Sequence, residues 1–378
     1  MGVRVKKKIC HVLTSLNFGG AAESTLTRIK SLATAYDFSV IAGKSMGGFN
    51  SLEASLKSQG VRFFVSEHLS NSLNPIVTAL SFAELYFFFR KNHFDAVHTH
   101  NTVAGILGRI AARLAGVKKI FHEVHGLPVT KNPIILSAYF FLERALAVHT
   151  TAYFIVSQKL CPEFSASFSV PREKIVFLPS AIDDKIPHLG KTRRLLALRR
   201  GERAIGMIAR LDWLKRQDLF LDISEIVLKK TNNVRFFLVG EGQFRKKIER
   251  EIFLKNLGKH VEITGFVEQD DVWRIVGELD IVLHTSEKEA IPRAIVQAML
   301  LEKPVVCFDV GNINEIVING ETGFLVPFAE NEKAAEIILD LLRKPVLRKK
   351  IGKQAKKQIS KIFDLRHGNI LLSKFYAR

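Results

Sequence analysis

Short apolar runs alternate along the chain with longer segments in which apolar residues recur at the period of a helix. Runs such as Ile9–Thr14, Ala204–Ile208 and Val305–Phe308 are almost continuously apolar and do not alternate with polar residues. A strand that is covered by helices on both faces has this pattern, because neither face meets water. The pattern therefore predicts parallel sheets of the doubly wound α/β class.

The strand–helix repeats fall into two sets. At ~100–200 residues per domain, the 378 residues of the chain are enough for two domains with separate cores. A highly basic stretch that contains proline and glycine separates the two sets. We predict a Rossmann-like first domain over residues 1–187, a basic linker over 188–203, a Rossmann-like second domain over 204–355 and a basic tail over 356–378.

Charge is distributed unevenly along the chain. The formal net charge is +19, and residues 343–378 contain 12 basic residues and one acidic residue. Residues 204–342 have the opposite balance, with 17 basic and 23 acidic residues. A basic excess of this size in one tail favours a polyanionic partner over a merely solvated surface. Because the second domain is acidic, we do not expect this partner to be nucleic acid.

No membrane-spanning or targeting segment is predicted. No apolar run reaches the ~18 residues that a transmembrane helix needs. Lysines precede the apolar stretch Ile9–Leu16 in the manner of a signal peptide, but the stretch is short and contains His11, so we interpret it as a buried first strand. Three widely spaced cysteines without a C-x-x-C pair exclude a disulfide framework and a thiolate metal site.

Candidate binding residues lie in the loops that follow the predicted strands. Parallel α/β sheets bind ligands at the carboxyl ends of their strands, so two such domains predict a site in a cleft between them. Gly19 and Gly20 follow the first strand, where backbone N–H groups can approach a phosphate or a sugar at a helix N-terminus. A tight structural turn explains the two glycines equally well.

Four histidines, His98, His100, His122 and His125, stand at the ends of two strands of the first domain. Together with a nearby carboxylate they suggest zinc, but the two pairs end different strands and no pair has the i,i+4 spacing of a metalloprotease helix. We therefore predict no metal. His125 is interpreted as a neutral hydrogen-bonding group for a substrate, whereas His98 and His122 are equally well explained as structural histidines.

Two loops of the second domain carry further candidates. Arg210 and Lys215 flank the loop after its first strand, where an arginine fork and a lysine point charge suit a diphosphate, although a pair of ordinary surface cations is the alternative. Pro292 is favourable at the start of a helix, whose free N–H groups would face an anion. Glu289 precedes this helix, where it can reach sugar hydroxyls, and Gln297 lies within it.

The order and spacing of these motifs resemble the family 4 retaining glycosyltransferases of the GT-B fold, which use nucleotide-diphosphate sugars. The resemblance covers nearly the whole chain. Its motifs are the G-G turn after the first strand, the strand end at 95–100, AGILGRIAARLAGVKKIFHEVHG at 104–126, LPSAID at 178–183, A-R-L-D-x-x-K at 209–215, LVGEG at 238–242, GFV at 265–267, the E-x7-E region from Glu289, and residues 315–327.

The resemblance implies a fold and a set of site residues. Two Rossmann-like domains would face a central cleft, and a helix within residues 356–378 would cross back to the first domain. The catalytic residues would be His125 and Glu289 at the sugar, with Arg210 and Lys215 at the leaving diphosphate. The donor-binding residues would be Gly19, Gly20, Arg210, Lys215, Val267, Glu289, Arg293, Ala294 and Gln297.

The resemblance also implies a hexosyl transfer that retains the anomeric configuration and requires no cofactor or metal, in agreement with the absence of a D-x-D motif. One residue departs from the family pattern, because Gln297 replaces the second glutamate of E-x7-E. A charged hydrogen bond of ~1.5–3 kcal/mol would become a neutral one of ~0.5–1.5 kcal/mol. We therefore expect weaker or altered nucleotide binding and unchanged chemistry.

Family members that build cell-envelope glycans act on lipid-linked or lipopolysaccharide acceptors at the inner face of the cytoplasmic membrane. The segments Pro75–Arg90 and Pro133–Leu146 are rich in Phe, Tyr and Leu and have basic residues near their ends, as interfacial helices do, although core-facing helices are the alternative. We expect a cytoplasmic, peripheral enzyme on anionic lipid, with the basic tail and the basic first domain on one face.

Three other functions are weighed against this transferase. A GT-B sugar-nucleotide epimerase would need further carboxylates for proton abstraction, so the candidate set fits it less well. A nucleic-acid-binding protein is suggested only by charge. A degenerate transferase that is kept for binding a partner is suggested only by Gln297.

Overall fold

A computed structural model of the protein describes residues 6–16, 19–44, 56–72, 74–128, 130, 132–183 and 195–377. The chain forms two compact units. The first consists of Met1–Asp183 together with Phe363–Arg378, and the second consists of Asp184–Ile362. Residues 188–194 of the predicted linker lie outside the described residues, and its last residue, Arg203, already begins a strand.

The first unit contains a parallel sheet of seven described strands in the order β3-β2-β1-β4-β5-β6-β7. The strands are β1 (Lys8–Leu13), β2 (Asp37–Gly43), β3 (Arg62–Ser66), β4 (Ala96–His100), β5 (Lys119–Val124), β6 (Ala152–Ile155) and β7 (Ile175–Phe177). The helices are α1 (Gly20–Leu32), α2 (Pro75–Asn92), α3 (Thr102–Leu114), α4 (Pro133–Ala147) and α5 (Leu160–Phe168). The strand order reverses between β1 and β4, which is where sheets of this class bind ligands.

The central strands of this sheet are buried, as their apolar sequences predict. In the register of β1, Ile9 pairs with Phe38 on one side and with Ala96 on the other, and all three side chains are buried. Removing this apolar surface from water is the main stabilising contribution to the sheet. Because β1, β4 and β5 are parallel neighbours, their carboxyl ends lie side by side at one edge.

Helices α2 and α4 begin with the same Asn-Pro pair. The side-chain oxygen of Asn74 accepts hydrogen bonds from the N–H groups of Ile76 and Val77, and Asn132 caps α4 in the same way. Proline at the first helical position costs no hydrogen bond, and the asparagine satisfies two free N–H groups. Both helices pack against α3.

The last helix of the chain, α12 (Leu365–Ala377), belongs to the first unit. The expected boundary at residue 356 is wrong, because residue 356 falls inside α11 (Pro345–Ile362), which belongs to the second unit. The helices separate at Asp364, whose side chain accepts hydrogen bonds from the N–H groups of Arg366 and His367 at 2.9 and 3.1 Å. This aspartate starts a new helix, which the basic composition alone did not indicate.

The second unit contains a parallel sheet of six described strands in the order β10-β9-β8-β11-β12-β13. The strands are β8 (Arg203–Ile208), β9 (Val234–Val239), β10 (Val261–Gly265), β11 (Ile281–His284), β12 (Val305–Phe308) and β13 (Phe324–Val326). The remaining helices are α6 (Gln217–Leu228), α7 (Arg245–Leu254), α8 (Gln269–Glu278), α9 (Arg293–Leu300) and α10 (Asn331–Arg343). Two Rossmann-like parallel sheets confirm the predicted α/β class.

Most basic residues of the segment 343–378 belong to the second unit. Six exposed lysines stand on α11, whereas Arg366 and Lys374 on α12 belong to the first unit. The expectation that this segment and the basic first domain lie on one face stays a prediction, since the chain passes from one unit to the other near Asp364. Within the described ranges, no helix has both the length and the apolar character that crossing a membrane requires.

Candidate functional site

The loop after β8 is organised by Asp212. One oxygen of this carboxylate accepts hydrogen bonds from the N–H groups of Leu214 and Lys215, at 3.0 and 3.3 Å, and thereby caps the short 3-10 helix Trp213–Lys215. The other oxygen accepts a hydrogen bond from Nε of Arg210 at 2.6 Å. A single buried carboxylate thus positions both cations that the sequence singles out, a role that was not assigned to Asp212 from sequence.

Arg210 and Lys215 differ in their access to solvent. The side chain of Arg210 is 67% exposed and binds Asp212 through Nε. The side chain of Lys215 is 21% exposed, and its Nζ donates to Oε1 of Glu289 at 2.5 Å. An anion can reach the Arg210 guanidinium directly, whereas at Lys215 it meets an ammonium group that already has a carboxylate partner.

Glu289 lies in the loop between β11 and α9, and two contacts join this loop to the loop after β8. The hydroxyl of Thr285 donates to the carbonyl oxygens of Lys215 and Arg216 at 3.1 and 3.0 Å. The N–H of Glu287 donates to the carbonyl oxygen of Leu214 at 2.8 Å. These bonds hold the Lys215 and Glu289 backbones in register, so their ion pair is part of a fixed arrangement.

His284, the last residue of β11, provides a second polar partner for Glu289. Its Nε2 lies 2.9 Å from Oε1 of Glu289 and 2.9 Å from the Ser286 hydroxyl, and the histidine is 2% exposed. Burial alone would raise the pKa of Glu289, but the hydrogen bond with His284 and the charge of Lys215 outweigh it and hold this pKa at about 2. Glu289 is therefore an anion at neutral pH.

Gly311, in the loop after β12, lets the chain pass close to Glu289. Its φ of +56° is in the left-handed region, and a Cβ at this position would lie 1.8 Å from the carbonyl oxygen of Glu289. No side chain fits there without moving one of the two backbones. Gly311 is therefore a functional residue that was not identified from the sequence, although a glycine after a strand is a usable signal.

The remaining candidates of the second unit lie near the same edge of its sheet but are not all close to Glu289. Helix α9 begins at Arg293 after Pro292, as predicted, and Ala294 and Gln297 on it are buried. Gln297 is only 3% exposed, so little of its amide is accessible. Val267 follows β10, which β9 and β8 separate from β11 in the sheet.

In the first unit, Gly19 and Gly20 are exposed at the start of α1. The helix begins at Gly20, and its first backbone hydrogen bond joins the Glu23 N–H to the Gly19 carbonyl oxygen at 3.1 Å. Residues 17 and 18, which precede the glycines in the motif, lie outside the described residues. The positive end of the helix dipole at this first turn favours an anion.

His125 follows β5 and is backed by a buried group of histidines. Its side chain is 16% exposed, and its Nε2 lies 3.3 Å from Nδ1 of His100. His98 bonds the Tyr376 hydroxyl through Nδ1 at 2.6 Å, and His122 bonds the Thr99 hydroxyl through Nδ1 at 2.9 Å. These partners agree with the structural interpretation of His98 and His122.

Burial controls the charge of this histidine group. It lowers the pKa of His11 and of His122 to about 3 and lowers the pKa of His98 and His100 well below the usual value of 6.5. The pKa of His125 is also lowered, chiefly by burial. All five imidazoles are therefore neutral near pH 7, which agrees with the interpretation of His125 as a neutral hydrogen-bonding group.

Within the described part of the chain, two residue sets have nitrogen and carboxylate atoms close enough to hold a metal ion. They are His11, His98 and His100, and His100, Glu123 and His125, with ligand atoms within 4.8 Å of one another. Nδ1 of His11 and Nε2 of His100 are 2.9 Å apart and hydrogen-bonded to each other. Their separation is that of a hydrogen bond and not of two ligands on one zinc ion, which lie farther apart at bond lengths of ~2.0–2.1 Å.

Doubly wound units of this kind bind ligands, often nucleotides, at the carboxyl edge of their sheets, and one of the two units joins cations and a carboxylate at that edge. Residues 18–185 match the family described as Glycosyltransferase Family 4, and residues 191–358 match Glycosyl transferases group 1. The chain belongs to these glycosyltransferases. This confirms the family that the motifs indicated.

Curated relatives and solved structures agree with this assignment. An Escherichia coli protein named UDP-Gal:alpha-D-GlcNAc-diphosphoundecaprenol alpha-1,3-galactosyltransferase is 27% identical, over 95% of this chain and 96% of the relative. Anabaena Alr3699/HepE, solved with UDP and glucose, superposes with a TM-score of 0.82 at 22% identity and covers 98% of this chain and 99% of its own. The apo lipopolysaccharide outer core galactosyltransferase WaaB superposes with a TM-score of 0.67 at 16% identity, over 98% and 100% of the chains.

Gly311 provides a test of the Glu289 loop. We expect Gly311→Ala to weaken the binding of nucleoside diphosphates by at least about tenfold, because displacement of a binding group by ~1 Å is costly. Thermal-shift titration with UDP, GDP and ADP measures this. Gly320→Ala is the matched control, because Gly320 also has a positive φ (+77°) but no atom within 4 Å of its Cβ position. Equal effects of the two substitutions would contradict the account.

The lowered pKa of Glu289 predicts a pH dependence. A carboxyl whose folded pKa is depressed stabilises the fold above its ordinary pKa of 4.5 and loses this contribution as the pH falls toward about 2. We expect Glu289→Gln to reduce the free energy of unfolding by up to about 3 kcal/mol near neutral pH, with a smaller difference below pH 4.5. Urea unfolding at several pH values measures this difference.

Glu287→Gln is the control for this pH dependence. Glu287 is in the same loop, is 44% exposed and pairs with Arg216, so its loss should cost no more than about 1 kcal/mol. A Glu289→Gln difference that stays constant across the acid range would show that the carboxylate is not held ionised by its neighbours.

Proposed function

We propose that this protein is a retaining hexosyltransferase that moves a sugar from a UDP-sugar to a lipid-linked acceptor during synthesis of an envelope glycan, such as a lipopolysaccharide core or a capsule. The observation that carries the proposal is the Lys215–Glu289 pair beside Arg210, at the carboxyl ends of β8 and β11. A diphosphate requires cations and a sugar requires a hydrogen-bond acceptor. The E. coli relative, whose name specifies UDP-Gal and a diphosphoundecaprenol acceptor, supports this choice.

The donor-binding residues that we propose are those implied by the family resemblance. Arg210 and Lys215 bind the diphosphate, and the positive end of the helix dipole of α9, at Arg293 and Ala294, adds to this anion site. The carboxylate of Glu289 accepts hydrogen bonds from sugar hydroxyls. The rest of the donor site that we propose is Val267 and Gln297 on the nucleoside side, and Gly19, Gly20 and His125 from the first unit.

Transfer would begin as the bond between the sugar carbon and the diphosphate oxygen breaks. Negative charge then develops on the diphosphate, where the Arg210 guanidinium and the Lys215 ammonium stabilise it. The leaving oxygen takes the proton of the acceptor hydroxyl, which attacks the same face of the sugar and so retains the configuration. Two fixed cations perform the task that a divalent metal performs elsewhere, so we propose a metal-independent reaction without a cofactor.

The first unit has two exposed apolar stripes that suit a membrane-bound acceptor. Ile76, Leu80 and Phe87 follow one face of α2 and are 71%, 42% and 67% exposed. Ile134 and Phe141 on α4 are 77% and 72% exposed. Both helices pack against α3, so the stripes lie on the same side of the sheet. We propose that they enter the lipid interface at the inner face of the cytoplasmic membrane.

Basic side chains would reinforce this attachment. Arg90 and Lys91 lie in the last turn of α2, and Arg144 lies on the exposed side of α4. Each such residue near an anionic lipid surface contributes about 1 kcal/mol. The enzyme would therefore be a peripheral membrane protein that reaches a lipid-linked acceptor without spanning the bilayer.

An assay of sugar transfer tests the chemical part of this proposal. With UDP-galactose or UDP-glucose and GlcNAc-diphosphoundecaprenol, we expect an α-linked disaccharide product, identified by NMR, and full activity in EDTA. Lys215→Met and Arg210→Ala should each lower kcat/KM by about 10²–10³-fold, because each removes a charge that stabilises the leaving group. Lys229→Met is the control, because Lys229 is exposed just after α6 and pairs with Glu225 on that helix.

Two results would contradict the chemical proposal. One is epimerisation of the sugar nucleotide without transfer, which is the epimerase alternative. The other is normal turnover by Lys215→Met, which would show that Lys215 is not part of the diphosphate site.

Liposome sedimentation tests the membrane part. We expect the protein to sediment with phosphatidylglycerol vesicles at low salt and to be released at high salt, because screening weakens charge attraction. Phe87→Asp combined with Phe141→Asp should reduce binding at both salt concentrations. Phe253→Asp is the matched control, because Phe253 is 79% exposed on α7 of the second unit. Equal binding to neutral and anionic vesicles would contradict the proposal.

A further inference from the structure

The proposed reaction uses His125 but leaves the buried histidines behind it without a role. Three contacts connect His125 to the last helix of the chain. Nε2 of His125 lies 3.3 Å from Nδ1 of His100, Nε2 of His100 lies 2.9 Å from Nδ1 of His11, and Nε2 of His11 lies 3.4 Å from the Tyr376 hydroxyl oxygen. We call Tyr376, His11, His100 and His125 the histidine chain. Tyr376 is 1% exposed and stands on α12.

A chain of neutral imidazoles has only two possible polarities. Each neutral ring donates through one nitrogen and accepts through the other, so the direction of one hydrogen bond determines the direction of all the others. In one polarity every histidine of the chain carries its proton on Nε2. In the other polarity every proton is on Nδ1. The direction chosen at Tyr376 therefore decides which nitrogen of His125 carries a proton.

The contacts of Tyr376 select one of these polarities. Its hydroxyl has one hydrogen and lies 2.6 Å from Nδ1 of His98 but 3.4 Å from Nε2 of His11. The shorter distance is typical of a hydroxyl donor, so the hydrogen belongs to the bond with His98. The hydroxyl oxygen then accepts from Nε2 of His11, and the protons of His100 and His125 also lie on Nε2.

Glu123 favours the same polarity at two of the three imidazoles that it faces, those of His98 and His125. At the third it does not, because Nδ1 of His100, which accepts a hydrogen bond in this polarity, also lies 3.8 Å from the carboxylate. The Glu123 carboxylate is 1% exposed and has an oxygen 3.8 Å from Nε2 of His98. When Tyr376 donates to Nδ1 of His98, the other nitrogen of that ring carries a proton and faces the carboxylate. The opposite polarity would turn a lone pair toward the carboxylate, which is electrostatically unfavourable. A second oxygen of Glu123 lies 3.7 Å from Nε2 of His125, so it also attracts a proton at that nitrogen.

We propose that the histidine chain holds His125 as the Nε2–H tautomer, so that its Nδ1 is the acceptor offered to a hydroxyl of the donor sugar. His100, His11 and Tyr376 are then positioning residues that do not touch the substrate. Helix α12 is far from His125 in the sequence. Through Tyr376 it would nevertheless influence the reaction by determining the tautomer of His125. This inference rests on the proposed role of His125 in the transferase.

Nuclear magnetic resonance of the full-length protein tests the tautomer without requiring activity. In a protein labelled with ¹⁵N-histidine, two-bond ¹H–¹⁵N correlations distinguish a protonated from an unprotonated ring nitrogen. The expected result is a protonated Nε2 and an unprotonated Nδ1 for His125, His100 and His11, assigned by the signals missing from His125→Gln, His100→Gln and His11→Gln. A protonated Nδ1 at His125, or averaging between the two tautomers, would overturn the proposal.

Tyr376→Phe tests the origin of the tautomer. Loss of the hydroxyl should leave His98 and His11 free to exchange tautomers and cause averaging at His125. Loss of one neutral hydrogen bond should lower kcat by roughly two- to tenfold, with an unchanged KM for the UDP-sugar. Tyr36→Phe is the matched control, because the Tyr36 hydroxyl also bonds α12, at the Ser373 carbonyl oxygen, without joining the histidine chain. An equal loss in the control would show that only helix docking matters.

One further variant separates this inference from the proposed function. Suppose that His125→Ala is inactive and that His125 of the wild-type protein is the opposite tautomer. The proposed control of the tautomer by the histidine chain is then wrong, and the role of His125 in the reaction stands. If His125→Ala has full activity, the role of His125 is wrong, and the inference that a sugar hydroxyl bonds its Nδ1 fails with it.

Discussion

The ion pair between Lys215 and Glu289 is the interaction on which the candidate site depends. It joins the loop after β8 to the loop after β11, and hydrogen bonds from Thr285 and Glu287 hold the two loops at the distance it needs. Removal of the Glu289 charge would leave the Lys215 ammonium without its carboxylate partner, at a cost of up to about 3 kcal/mol near neutral pH. In the proposed reaction a diphosphate would give Lys215 a second anionic partner, so the pair that orders these two loops would also position the ammonium group for the donor.

Much of the fold could be predicted from the sequence, because buried parallel strands have continuous apolar runs. Both sheets, the start of α9 after Pro292 and the loop positions of Arg210, Lys215 and Glu289 follow from such local signals. The family could also be predicted, since its motifs extend over nearly the whole chain. The contact between Lys215 and Glu289 could not be predicted as such. It depends on β8 and β11 being neighbours in the sheet, whereas the sequence predicted only that both residues lie at strand ends.

The features that were missed depend on contacts between distant residues. The Asp364 cap divides the basic tail between the two units, and composition does not reveal where a helix ends. Gly311 must lack a side chain because the backbone of Glu289, which is 22 positions earlier in the chain, passes close to it. Tyr376 meets His98 across 278 positions, so no local pattern connects them. Four histidines at strand ends indicated a polar site, but their hydrogen-bond partners lie on distant parts of the chain and could not be predicted from the sequence.

The most direct test of the central claim is a crystal structure of the protein with UDP bound. The account predicts that oxygens of the β-phosphate lie about 3 Å from the Arg210 guanidinium and the Lys215 ammonium, beside the N-terminus of α9, and that the Glu289 carboxylate faces the space where the sugar would be. UDP bound away from this edge of the second sheet, with Lys215 contacting only Glu289, would contradict it.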